Sequence, residues 1–110
     1  MKKKQIKEWE SKREFKELVC SYADKIEVKI KKITIRPMTR KWASFSTKGY
    51  FTFNAELLDI NRSLGEYVIL HELLHYHIPN HGKLWKSLML AHMPEYENRA
   101  KVLQRITQCG

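Results

Sequence analysis

Apolar residues recur at helical spacing across residues 5–22. Phe15, Leu18, Val19 and Tyr22 follow i, i+3, i+4, i+7, with Ile6 and Trp9 two turns earlier. Lys and Glu fill the other face, which predicts an amphipathic helix with one side in water. Over residues 25–36 the period drops to two. Ile26, Val28 and Ile30 alternate with charges, then Ile33 and Ile35 alternate in the opposite phase. The slip at Lys31-Lys32 predicts a bulge or turn within a strand, and Pro37 ends it. Two short strand-like runs follow at 42–46 and 50–54, joined by Thr47-Lys48-Gly49. That is a hairpin signal, with Gly49 supplying positive φ in a three-residue loop. Ser63-Leu64-Gly65-Glu66 has the form of a capping box ahead of Tyr67, Val68, Leu70, Leu73 and Leu74. This helix should run to His77 or Ile78, where Pro79 stops it. Lys83 to Ala91 reads as a short helix with Leu84, Trp85, Leu88 and Met89 inward. Pro94 opens a last helix carrying Tyr96, Ala100, Leu103 and Ile106. The order α-β-β-β-α-α-α predicts an α+β fold in a single compact domain over residues 1–110. Its small three-stranded sheet is expected to be mostly antiparallel.

Composition narrows the class. A chain of 110 residues, 43% hydrophobic and 11% aromatic, can bury a core. No apolar stretch approaches the ~20 residues of a membrane helix, and no apolar run follows the basic start, so neither a membrane span nor a signal peptide is expected. Two cysteines, Cys20 and Cys109, are too few for a disulfide scaffold or a Cys-rich zinc module. A cytoplasmic home is expected. The net charge of +9 is uneven, with fourteen Lys/Arg against six Asp/Glu in residues 1–41. A solvated Lys/Glu surface explains this better than a nucleic-acid face, because the two signs alternate there.

All five histidines lie between residues 71 and 92. In His71-Glu72-Leu73-Leu74-His75, the two histidines sit one helical turn apart and can reach one cation. His81 would lie about 15 Å further along an unbroken helix, too far to share that cation. Pro79-Asn80 breaks the helix just before it, and Asn tolerates the left-handed conformation expected of a reversal. Three neutral histidines on Zn²⁺ leave one position open, as a catalytic site needs. Glu72 points about 100° away from His71 and should flank the metal. From there it can take a proton from zinc-bound water and pass it to a leaving amine. His77 points off the ligand face, and His92 precedes Met93-Pro94 in a predicted loop. Both read as structural before catalytic.

The spacing resembles that of the zincin metallopeptidases, HExxH with a third histidine ten residues after the first. The position where metzincins place glycine is Ile78 here. The surroundings more closely resemble YgjP-like and SprT-like zinc metallopeptidases. Arg40-Lys41-Trp42-Ala43-Ser44-Phe45-Ser46 is similar to their R-W-G-S-C-S strand, and Tyr50 to Leu57 is similar to the next strand. Tyr67 to His75, Pro79 to Trp85 and Met93-Pro94-Glu95-Tyr96 match their metal region and the start of their final helix. The length resembles the minimal selecase-type enzymes related to minigluzincins. The resemblance implies one zinc ion on His71, His75 and His81, with Glu72 as general base and acid. It implies an endopeptidase of broad selectivity acting on peptide or unfolded protein. It also implies that an edge strand pairs with extended substrate, a strand expected at Phe51, Thr52, Phe53 and Asn54. Tyr96, Tyr76 and His92 are the candidate oxyanion donors.

Two alternatives share parts of this pattern. H-x3-H-x5-H also occurs in YbeY-type ribonucleases, and a basic chain suits RNA. That family lacks a glutamate after the first histidine, so Glu72 favours the peptidase. A SprT-like protease brought to nucleic acid by residues 1–41 is the other. A small domain with an open cleft and strand edge is also expected to self-associate or inhibit itself. The segment ending Gln108-Cys109-Gly110 and the basic start are the candidate plugs.

Overall fold

The computed structural model describes residues 9–109, with side chains to residue 106. The predicted helical stripe at Ile6 and the plug expected at the basic start lie outside the described residues, as do the side chains of the plug expected at Gln108-Cys109-Gly110. Helix α1 spans Lys12–Ile26, β1 Lys32–Arg36, β2 Ala43–Phe45 and β3 Tyr50–Asn54. A short 3-10 helix, Ala55–Asp59, leads into α2, Arg62–His77. Helices α3, Lys83–His92, and α4, Tyr96–Cys109, complete the α+β architecture.

Ser11 caps α1 by accepting from the Glu14 backbone N–H. The helix buries Phe15, Val19 and Ala23, a stripe at i, i+4, i+8. It runs beyond the expected end at Tyr22 and stops at Glu27, which adopts a left-handed φ of 59°. The alternation of Ile26, Val28 and Ile30 is therefore not a strand. It is a helix end stepping into a loop, with Val28 turned into the core. Strand β1 begins where the phase slips, and the Lys31 and Lys32 amides both donate to the Gly49 carbonyl. Gly49 sits at φ 102°, as the predicted hairpin loop requires.

The sheet order is β1-β3-β2. β2 pairs antiparallel with β3, Ala43 opposite Phe53 and Phe45 opposite Phe51. β1 pairs parallel with β3, Ile33 with Phe51 and Ile35 with Phe53. The sheet is thus mixed, where a mostly antiparallel one was expected. After Pro37 the chain crosses over and returns on the far side of the position β3 will fill. The buried Asn54 side chain holds that crossover. Its amide donates to the Met38 and Lys41 carbonyls at 3.0 and 2.9 Å. Its oxygen accepts from the Glu56 amide at 3.0 Å and caps the 3-10 helix. Between the two bound carbonyls Arg40 takes a left-handed φ of 67°.

α2 is buried along nearly its whole length, through Leu64, Tyr67, Val68, Ile69, Leu70, Leu73 and Leu74. Its N-cap is Asn61, which accepts from Ser63, two residues before the predicted capping box takes hold. Glu66 is instead drawn into ion pairs with Arg62 and Arg99. Arg62 also reaches Glu14 at 2.7 Å, and its guanidinium covers the Trp9 ring at 4.2 Å. These charges fasten α1, α2 and α4 together at one end. Trp9 packs against Phe15 and so close to Gly65 that a Cβ there would sit 3.0 Å from the indole. Among the described residues no helix is long and apolar enough to cross a membrane.

Removing the Asn54 amide strands two carbonyls and one N–H in a buried place. Asn54→Ala is expected to lower stability by about 2–3 kcal/mol in chemical denaturation. An unchanged midpoint would show that the crossover does not depend on it.

Candidate active site

α2 carries His71 and His75 on one face, as the spacing predicts. It ends at Ile78, whose amide still donates to the Leu74 carbonyl at 2.9 Å. The chain then reverses without a left-handed residue at Asn80. The Asn80 side-chain oxygen accepts from the Gly82 amide at 3.0 Å, an Asx turn that folds His81 back over α2.

Three Nε2 atoms converge. His71 and His75 are 3.1 Å apart, His75 and His81 2.8 Å, and His81 and His71 3.3 Å. Tetrahedral nitrogen ligands about 2.05 Å from a zinc ion lie about 3.3 Å apart, so the trio fits one cation. The groups behind them fit too. His75 Nδ1 donates to the Ile78 carbonyl at 3.0 Å, which leaves the Nε2 lone pair facing inward. His71 Nδ1 lies 3.1 Å from the Tyr67 hydroxyl. Burial, then the neighbouring His75 and His81, push His71 down from 6.5 to about 4. Burial and the same kind of crowding also lower His81. His71 is therefore neutral at pH 7, the form a metal needs. His71, His75 and His81 can hold a metal ion.

Glu72 faces a cavity of about 450 Å³ beside this trio, walled by Lys41, Trp42, Ala43, Tyr67, Ala100 and Leu103. Burial raises its carboxyl from 4.5 to about 7, against a smaller downward pull from Lys41. A larger hollow along the outer face of α1 contains none of these residues.

The strand expected to receive substrate is not placed for it. β3 is the central strand, with both backbone edges already paired. Phe51, Phe53 and Asn54 are buried, and the Asn54 side chain serves the crossover. Only Thr52 is partly exposed, and its backbone is in the ladder. The reason is the parallel partner β1, which occupies the side that would otherwise be open. The edge beside Glu72 belongs to β2. Trp42, Ser44 and Ser46 form the hydrogen-bonded pairs with β3, so the backbone groups of Ala43 and Phe45 face outward.

Of the oxyanion candidates, Tyr76 stacks on Phe51 at 6.4 Å, on the sheet side of α2 and away from the trio. His92 closes α3 about 10 Å along the axis from Trp85, which places it away from the trio. Tyr96 stays beside the centre, its ring 6.0 Å from Trp85. His77 is structural, with Nε2 donating to the Ile26 and Glu27 carbonyls at the end of α1. Tyr67 was legible only as an apolar helix residue. Its place one turn before His71 was the available signal.

This arrangement defines a class, a small zinc metallopeptidase fold with two histidines on its buried helix and a third returned to them by the following loop. Residues 1–106 match the YgjP-like metallopeptidase domain, and the chain belongs to that family. Two solved structures are similar. The metallopeptidase zymogen jannalysin of Methanocaldococcus jannaschii is 28% identical, with a TM-score of 0.72 over 84% of this chain and 96% of that one. The metallopeptidase zymogen abylysin of Pyrococcus abyssi shares the fold at 22% identity, with a TM-score of 0.66 over 86% and 92%. No match was found among curated proteins.

The raised Glu72 carboxyl makes metal-free stability pH-dependent. Unfolded, it loses its proton near 4.5; folded, near 7. Between those values the folded chain binds more protons, so stability falls as pH rises. From pH 4.5 to above 7, metal-free Glu72→Gln should gain on wild type by up to about 3 kcal/mol. A pH-independent difference in thermal or denaturant midpoints would show that Glu72 is not buried in this way.

Proposed function

We propose that this protein is a zinc-dependent endopeptidase, with one ion on His71, His75 and His81 and Glu72 as proton carrier. The convergence of three Nε2 atoms beside a partly buried glutamate carries this reading. Zinc there would supply Lewis-acid polarisation of the scissile carbonyl and of water. The Glu72 carboxylate takes the proton of the attacking water and delivers it to the leaving amine nitrogen. An extended peptide adds to the outward backbone of Ala43 and Phe45, which reads main chain and makes selectivity broad. A side chain next to the scissile bond enters the cavity between Val68, Ala100 and Leu103. No observation favours the ribonuclease or the nucleic-acid-bound protease.

Glu72→Ala should keep zinc by elemental analysis yet hydrolyse casein about 10²–10⁴-fold more slowly. His81→Ala should lose zinc, and a chelator should stop the wild type. Full activity in Glu72→Ala, or unchanged zinc in His81→Ala, would defeat the reading. Hydrolysis of RNA in place of casein by the same sample would support the other class.

The cleft is also proposed to be self-limiting. α4 contributes Ala100, Leu103 and Gln104 to its wall and is tied to α2 by the Arg99–Glu66 ion pair. The two similar metallopeptidases are both zymogens. Loosening α4 with Arg99→Ala and Leu103→Ala should raise peptide turnover per molecule. The open β2 edge can also take a second copy, so turnover per molecule should fall as protein concentration rises. Turnover indifferent to both would count against self-control.

A further inference from the structure

We propose that Trp85 is the positioning residue of the metal centre, the one side chain that holds all three histidines in the geometry a cation needs. This rests on the metal reading above and adds the element that assembles it. The ligands come from two places. His71 and His75 ride on α2, while His81 is an exposed residue of the reversing loop. The Asx turn at Asn80 sets the direction of that loop. Trp85, in the first turn of α3, meets the His81 imidazole itself. Its ring lies 4.6 Å from that of His81, edge to face at 78°. It stacks on His75 at 5.7 Å and 20°, and meets His71 at 5.1 Å and 72°. These are favoured separations and tilts for aromatic pairs. One indole therefore touches each imidazole, two of them by an edge and one by a face.

Ordinary core packing does not account for this. The described ring contacts of Trp85 are with the three histidines and Tyr96. Met89, one turn further along α3, is equally buried but carries no ring to set against the imidazoles. The indole is 4% exposed, yet among the described residues its Nε1 has no hydrogen-bond partner. A buried unpaired donor is unfavourable, and a position needing only apolar volume would be better filled by phenylalanine or leucine. What tryptophan adds is a plane wide enough to reach three rings at once. The imidazoles are thereby ordered before an ion arrives, so binding has less freedom to remove.

The test is zinc affinity, measured by competition with a chromophoric chelator where every variant is folded. Trp85→Leu should bind Zn²⁺ about ten- to a hundredfold more weakly than wild type, the range seen when outer-sphere support is lost. Trp85→Phe, which keeps a ring against the trio, should recover most of that loss. Met89→Ala, a cavity on the same helix, should lower the melting temperature yet leave zinc affinity near wild type. The proposal is overturned if Trp85→Leu binds zinc as tightly as wild type. It is equally overturned if Met89→Ala loses as much affinity as Trp85→Leu. A wild type that binds no zinc would overturn the metal reading together with it.

Discussion

Three imidazole nitrogens within 3.3 Å of one another are an arrangement that neutral protein groups do not adopt without support. At least two must present lone pairs toward the same point, and each ring must be stopped from turning away. Much of the fold serves that constraint. α2 is buried nearly all round because it carries two of the rings and must not move. It ends at Ile78, just before Pro79, and the carbonyl left free there fixes the tautomer of His75. The loop beyond it is short, and an Asx turn reverses it, because His81 has to come back. Tyr67 and Trp85 then limit the rings from behind and below.

The same helix explains the state of Glu72. A residue next to a ligand on a buried helix is itself withdrawn from water, and the carboxyl responds by rising to about 7. Without a cation the site is therefore unfavourable on two counts, crowded nitrogens and a carboxylate short of solvent. A divalent ion relieves both, since it draws the lone pairs together and stabilises the nearby negative charge. Binding of an ion and ionisation of Glu72 would thus be two sides of one electrostatic arrangement. The cation that orders the rings also favours the ionised form of Glu72.

What could be read in the sequence was local. The metal helix was legible because apolar residues keep its period and Pro79 ends it. The hairpin was legible because Gly49 marks its turn. The position of β1 was not, since its parallel partner lies about eighteen residues away and no short-range pattern encodes it. That one pairing turned β3 from an edge into the centre and moved the open edge to Ala43 and Phe45. Ile26 and Val28 misled because a helix end followed by a loop can imitate strand alternation over a few residues. Tyr67 and Trp85 were hidden for a different reason. An aromatic residue at helical spacing looks the same whether it fills a core or holds a ligand, and only the rings it meets tell the two apart.

The crossover between β1 and β2 joins these levels. It exists because β3 inserts between its neighbours, and Asn54 on β3 holds it by the carbonyls on either side of Arg40. The residues it delivers are Lys41, Trp42 and Ala43, which form the wall facing Glu72. Lys41 also counters the rise of the Glu72 carboxyl. A buried amide in the middle of the sheet thus supports the position of the β2 edge relative to α2. The parallel strand that makes β3 central leaves β2 as the edge with outward-facing backbone at Ala43 and Phe45.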